Sequence, residues 1–270
     1  MKIKAILGIA AKKAGYSVIS SESLAAMRQR LSEAEESKYA VQLLGLLQSM
    51  HVLDVDQFVK FGKLSNAQLL QDLFVLELFK FKRNGYFVEF GAADGIRHSN
   101  SYLLEKEFAW TGILAEPATI WHRKLHSSRS AKIDTRCVWS ESNKILEFSE
   151  DLSAELSSPT EYRNQGIHEN RRIDTRSYQV VTVSLRELLI ENEAPKVIDY
   201  LSIDTEGSEY RILNAFDWSE FKFQVISVEH NFSKDRELIA ELLASVGYRQ
   251  VYPELSKFDD WYIHEDMSNS

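Results

Sequence analysis

The stretch that most constrains the fold is Gly85–Gly95, which reads Gly-Tyr-Phe-Val-Glu-Phe-Gly-Ala-Ala-Asp-Gly. Tyr86 to Phe90 is a short apolar run of β-forming residues, opened by Asn84-Gly85 and closed by Gly91, and it predicts a buried strand. Leu103, Leu104 and Phe108 follow at helical spacing, with Ser99 and Asn100 as candidate N-caps. Strand, glycine turn and helix in this order bring backbone N–H groups to the turn, where they favour a polar or anionic ligand group. Glycine there lets a ligand approach the main chain with no Cβ in the way. A dinucleotide fingerprint needs glycine at the first, third and sixth positions, which here hold Gly91, Ala93 and Ile96. The fingerprint fails, which argues against a nicotinamide-dependent oxidoreductase.

What the turn does hold is an acid followed by two spaced glycines: Glu89, Gly91 and Gly95. A second apolar run, Ile113-Leu114-Ala115, ends in Glu116 and is stopped by Pro117. Glu116 lies about 20 residues beyond the glycine turn, the offset at which an acid at the end of a second strand reaches a ribose diol. A third run, Val197 to Gly207, reads as a buried strand with carboxylates at its exit. Together these motifs, with Leu-Ala-Glu-Pro at 114–117 and Leu-Ser-Ile-Asp-Thr-Glu-Gly-Ser-Glu at 201–209, resemble the FkbM-type methyltransferase family. The resemblance covers roughly residues 71–266 and rests on three separated motifs in order.

It implies an α/β class I methyltransferase (Rossmann-like) fold, with a mostly parallel seven-stranded sheet and helices on both faces. It also implies S-adenosylmethionine as donor and a hydroxyl acceptor on a sugar, glycan or related natural product. On this resemblance the cofactor contacts are expected at Glu89, Gly91, Ala92, Asp94, Gly95, Ser99, Asn100, Glu116, Pro117, Cys137 and Asp204. Gln71-Asp72 matches a pair that often precedes the first motif in the family and lies near the cofactor pocket.

At 270 residues, the chain has room for one sizeable α/β domain and a smaller element. A net charge of −8 argues against duplex DNA or an anionic membrane as partner through bulk electrostatics. The single Cys137 has no internal disulfide partner, and the simple expectation is a reducing, cytoplasmic setting. The basic N-terminus carries an apolar run of seven residues, cut by Lys12-Lys13 before a signal core develops. No run approaches the ~18 apolar residues of a membrane span.

Residues 1–84 are expected to form an N-terminal helical segment and residues 85–266 the methyltransferase domain. Ser21 or Ser23 is positioned to cap a long amphipathic segment, and Asn66 to open a helix that lies against the sheet. The N-terminal helices are expected either to cap the core or to form a homo-oligomer or partner surface. From Tyr86 onwards strands and helices alternate, which predicts a parallel sheet. Lys132 to Trp139 is expected as a third strand, and Lys144 to Ser149 as a short edge strand. Ser184 to Glu187 is a capping box opening a short helix. The last two strands, Tyr248–Tyr252 and Asp260–His264, are expected as an antiparallel edge pair. Glu155 to Gln179 is expected to be a long polar loop carrying Arg163, His168, Arg171, Arg172 and Arg176. Such a loop is a functional lid or a merely solvated one; as a lid, Arg171 and Arg172 would receive an anionic acceptor.

Ligands of open α/β sheets lie beyond the carboxyl ends of the strands. The catalytic candidates there are Asp204, Glu206 and His230, because a sugar hydroxyl benefits from a base within hydrogen-bond reach. Asp204 also suits capping of the following helix. His230 has an unperturbed pKa suited to a base, although a lone strand-end histidine is more often structural. Asp204, Glu229 and Asn231 offer the oxygen ligands that Mg²⁺ accepts. Outside catalysis, the chain could act as an inactive cofactor-binding scaffold working through its N-terminal helices.

Overall fold

The computed structural model describes residues 38–50, 52–151, 157–160 and 175–269, together with Gln29 and Glu36. The glycine-flanked run forms strand β1, Tyr86–Phe90, with its last four residues buried. On either side stand β2 (Thr111–Ala115) and β8 (Val197–Ile203), both parallel to it. Beyond them lie β3 (Lys132–Asp134) next to β2 and β9 (Lys222–Glu229) next to β8, again parallel. Strand β11 (Asp259–His264) runs antiparallel between β9 and the edge strand β10 (Tyr248–Val251). The seven-stranded order is therefore β10-β11-β9-β8-β1-β2-β3, the class I methyltransferase fold. Strand order reverses between β1 and β8, and a crevice opens at such a switch point.

Alternation along β1 explains how the sheet is covered. Val88 and Phe90 join one cluster with Leu188 and Leu189 of helix α5 (Leu185–Glu191), Ile212 of α6 (Glu209–Asn214) and Ile239 of α7 (Asp235–Ser245). Phe87 and Glu89 point the other way, where the Arg129 guanidinium lies 5.5 Å from the Phe87 ring. On that face Phe74 of α2 (Gln71–Leu78) stacks on Trp261 of β11 at 4.6 Å, as expected of a helix lying against the sheet, but the helix opens at Gln71 after Leu70 and not at Asn66. Each fully buried Phe or Leu contributes about 1.5–3 kcal/mol relative to an exposed one.

A second, four-stranded sheet has the order β4-β7-β5-β6: Cys137–Trp139, Thr175–Ser184, Ile145–Asp151 and Ser158–Pro159. This corrects two expectations. The run 132–139 is two strands in two sheets, because the Asp134 carboxylate accepts the Arg136 N–H at 2.9 Å and turns the chain between them. The run 144–149 is not an edge; β5 pairs with β6 on one side and β7 on the other. The expected polar loop 155–179 contributes Ser158–Pro159 and the start of β7 to this sheet, and its residues 161–174 lie outside the described residues. Arg163, His168, Arg171 and Arg172 are among those.

Contacts divide the chain into two compact units, residues 1–45 and 46–270. The expected boundary at residue 84 falls inside the second unit, which includes helices α1 (Val55–Gly62) and α2. Ser21 and Ser23 lie outside the described residues, where 38–49 are helical. No helix among the described residues is long and apolar enough to cross a membrane.

Candidate active site

The turn after β1 is built by its own polar residues. Gly91 sits at φ +72°, and a Cβ there would lie 1.9 Å from the Asp204 carbonyl oxygen. Its glycine is thus required by the neighbouring strand end. Glu89 accepts the Asn100 N–H at 2.8 Å, the Ser99 hydroxyl at 3.0 Å and the Ser101 hydroxyl. Arg129, fully buried, donates to Ser99, Ser101 and the Gly95 carbonyl and pairs with Glu105 at 2.9 Å. Asp94 accepts the N–H groups of Ile96 and Arg97 and the Lys124 ammonium. Glu89, Asp94 and Ser99 therefore shape the turn itself. Arg129 has no sequence signal, since it sits alone in Ser-Ser-Arg-Ser.

Beyond the turn a cleft of about 590 Å³ opens to solvent. Of the expected cofactor residues, Gly91, Glu116, Pro117, Cys137 and Asp204 line it, with Glu206 beside them. Ala92 is buried and lies outside the lining; Ala93 takes that place. Trp121, Val138, Phe148 and Pro159 complete the apolar walls and were not expected. Three of these follow from the second sheet, whose pairing is not written in any local pattern.

Glu116 accepts the Ala93 and Ala118 N–H groups, one per carboxylate oxygen, each at 2.7 Å. Each oxygen keeps a second lone pair. Burial pushes its carboxyl up to about 7 against these two hydrogen bonds. Burial likewise pushes the Cys137 thiol up to about 12, so it stays protonated.

Asp204 also borders a smaller polar pocket with Gln71, Asn100, Glu229 and Asp259. Gln71 donates to Asp259 at 2.6 Å, across 188 residues of sequence. Asn100 donates to the Ser202 hydroxyl at 2.9 Å, while its amide oxygen is buried without a hydrogen-bond partner. That oxygen is available to a donor group on a ligand.

Among the described residues, Asp204, Glu206 and Glu229 bring carboxylate oxygens within 4.8 Å of one another. Burial, then the charges of Asp204 and Glu206, raise the Glu229 carboxyl well above its ordinary range. Asp204 is raised too, chiefly by burial, and its hydrogen bond with Glu229 opposes that rise. Both members of the pair are thus driven towards the protonated form, Glu229 the more strongly because the neighbouring acids add to its burial. Three half-buried acids this close would repel one another if all were ionised. Their chemistry is to accept a proton or hold a cation.

Two expected members stand apart. Asn231 donates from its amide nitrogen to Glu229 at 2.6 Å, and Glu206 joins Asp204 and Glu229 in the carboxylate trio. His230 is buried, with Nε2 at 3.0 Å from the Asp259 carbonyl and Nδ1 accepting the Phe232 N–H at 3.0 Å. Both ring nitrogens are engaged within the chain, and burial lowers its pKa; this geometry makes it a loop anchor. Nor does Asp204 cap helix α6. Glu209 closes that turn, accepting the Thr205 and Gly207 N–H groups at 2.9 and 3.0 Å.

Residues 89–250 match the methyltransferase FkbM domain, which is more than half of the 270-residue chain. The chain belongs to the FkbM methyltransferase family. Among curated proteins no relative matches. Solved structures similar to this FkbM-family chain include methyltransferase FkbM from Methylobacillus flagellatus KT, at 10% identity and a TM-score of 0.42. That match covers 67% of this chain and 44% of the other, so the chain spans less than half of that relative's length. Precorrin-6y C5,15-methyltransferase from Geobacter metallireducens GS-15 aligns at 11% identity and a TM-score of 0.38, covering 67% of this chain and 71% of the other. The delta-N METTL16 methyltransferase domain also aligns at 11% and 0.38, over 85% and 95%. The family implies S-adenosylmethionine as methyl donor.

Proposed function

We propose that this chain is an S-adenosylmethionine-dependent O-methyltransferase acting on a hydroxyl of a sugar, glycan or related natural product. The observation that carries this reading is the carboxylate group at the cleft end: Asp204 and Glu206 line the same cleft as Glu116 and Gly91, with Glu229 beside them. The residues suit the donor. Pro117, Trp121, Cys137 and Val138 form an apolar wall for an adenine, and Glu116 has lone pairs for ribose hydroxyls. The buried Asn100 oxygen suits the methionine ammonium.

The bound donor supplies a methyl group on a sulfonium, already activated for in-line displacement. The protein's part is alignment and acceptance of the acceptor's proton. Asp204 takes the hydroxyl proton in this reading, and protonated Glu229 orients it. Arg171 and Arg172 are proposed to receive an anionic group of the acceptor. Incubation with labelled S-adenosylmethionine and a panel of nucleotide sugars and cell glycans tests the reading; no transfer to any hydroxylated acceptor overturns it. S-adenosylhomocysteine binding without any turnover would leave the inactive scaffold instead.

The trio favours a second reading, in which Asp204, Glu206 and Glu229 hold a divalent cation of the Mg²⁺ type. Chelation separates the two: a metal ligand set loses activity that added Mg²⁺ restores, and a metal-free base keeps its rate.

A further inference from the structure

Helix α4, Thr119–Ser128, begins directly after the Glu116-Pro117 strand exit, and its N-cap residue Ala118 has no side-chain oxygen. The first N–H groups of a helix have no intrahelical partner, and here three consecutive ones are met from elsewhere. Ala118 donates to Glu116 at 2.7 Å, Thr119 to the Tyr178 hydroxyl at 2.9 Å, and Ile120 to Glu150 at 3.1 Å. Tyr178 in turn donates to Glu150 at 2.7 Å, and the Thr119 hydroxyl donates to the same carboxylate oxygen at 3.0 Å. Glu150 is 2% exposed. These two residues sit on β5 and β7, strands of the second sheet. Phe148, two residues before Glu150, lines the cleft, and its ring lies 5.9 Å from that of Tyr178.

We propose that Tyr178 and Glu150 are positioning residues for donor binding. They clamp the second sheet to the loop that carries Glu116, and so hold its carboxylate where a ribose diol meets it. This proposal rests on the donor reading above. Three successive amides are held as a row by three side chains, and only the first of these, Glu116, faces the cleft. Removing the Tyr178 hydroxyl takes from the Thr119 amide its partner and from the Glu150 carboxylate one of its three donors, so the helix start shifts and the Ala118–Glu116 bond with it. The cost falls on Glu150, which is buried, because the Thr119 amide lies at the surface. The same clamp ties the second-sheet wall of the cleft, Phe148 and Pro159, to the donor loop.

The test is calorimetric binding of S-adenosylhomocysteine and of its analogue lacking the ribose 2′- and 3′-hydroxyls, to the full chain. Wild type, Tyr178→Phe, Glu116→Gln and the double variant are compared. The expected result is a Kd for S-adenosylhomocysteine raised about 5–12-fold by Tyr178→Phe, in the range of one ordinary hydrogen bond. The analogue's Kd should change less than about twofold, and the double variant should bind no more weakly than the weaker single variant, because the two residues act through one contact. Glu150→Gln, which keeps an acceptor oxygen, should recover most of the affinity lost in Glu150→Ala. Equal weakening of both ligands, multiplying effects in the double variant, or an unchanged Tyr178→Phe protein overturns the proposal. A wild-type protein that binds neither ligand overturns the donor reading instead, and the proposal with it.

Discussion

At the scale of single residues, Asp204 and Gly91 show how closely donor turn and acid group are interlocked. Glycine at 91 is legible from the sequence, but its reason is not: the added Cβ meets the Asp204 carbonyl at 1.9 Å, and the backbone sits at φ +72°. Gly91→Ala should therefore already lower the melting temperature, and Gly91→Val should abolish the cooperative transition along with S-adenosylhomocysteine binding; thermal unfolding followed by circular dichroism reads this. Asp204→Asn keeps size and loses charge. Methyl transfer to the true acceptor should fall by ~10²–10⁴, the usual contribution of a positioned base, while the calorimetric Kd for S-adenosylhomocysteine stays within a few-fold. His230 illustrates the reverse case. Its position at a strand end is written in the sequence, yet whether an imidazole faces a cleft or pins a loop depends on Phe232 and Asp259 around it.

At the scale of elements, local signals held where local bonds satisfy them. Ser184 accepts the Glu187 N–H at 3.2 Å, as a capping serine should. The reciprocal half of the box is replaced, because the Ser184 N–H donates to Ser142 at 2.8 Å. Ser184→Ala should destabilise by about 0.5–2 kcal/mol, the range for N-cap loss, measured as a shifted denaturant midpoint with unchanged slope. The 132–139 run failed as one strand because an apolar periodicity has no way to record that Asp134 turns the chain. Glu209 is the last residue of the Leu201–Glu209 motif. Its position just beyond Gly207-Ser208 was the available signal for a residue that closes that turn.

At the scale of the whole molecule, burial of acids gives the protein an unusual pH response. Burial pushes Asp72, Glu116 and Asp259 each up to about 7. In the unfolded chain such carboxyls release their protons near pH 4, whereas the folded protein keeps them to about pH 7. Between those values the folded state binds more protons, so stability falls as pH rises and the loss is complete above about 7. Asp94 and Glu105 act in the opposite sense, held low by Lys124 and by Lys106 with Arg129 against the pull of burial, and they lose their contribution only on strong acidification. The melting temperature should peak near pH 4. By pH 8 it should drop at least about 2–4 °C, the change that 1 kcal/mol makes in a domain of this size. Asp259→Asn should flatten the slope; an unchanged profile overturns the assignment.

The sequence by itself determined the β1 turn, the parallel core strands and the identity of Glu116 and Asp204. Each of these depends on residues within a few positions of one another: a run that fills a strand, a glycine that relieves a turn, an acid at the strand's exit. Only the tertiary structure decided that Asp204, Glu206 and Glu229 meet, that Gln71 holds Asp259, and that a second sheet supplies the cleft's outer wall. Those contacts join segments far apart in the chain. Which side chains then keep a proton, lose their solvent or stay open to a ligand is set by the atoms packed around them, and no local pattern of residues carries that information.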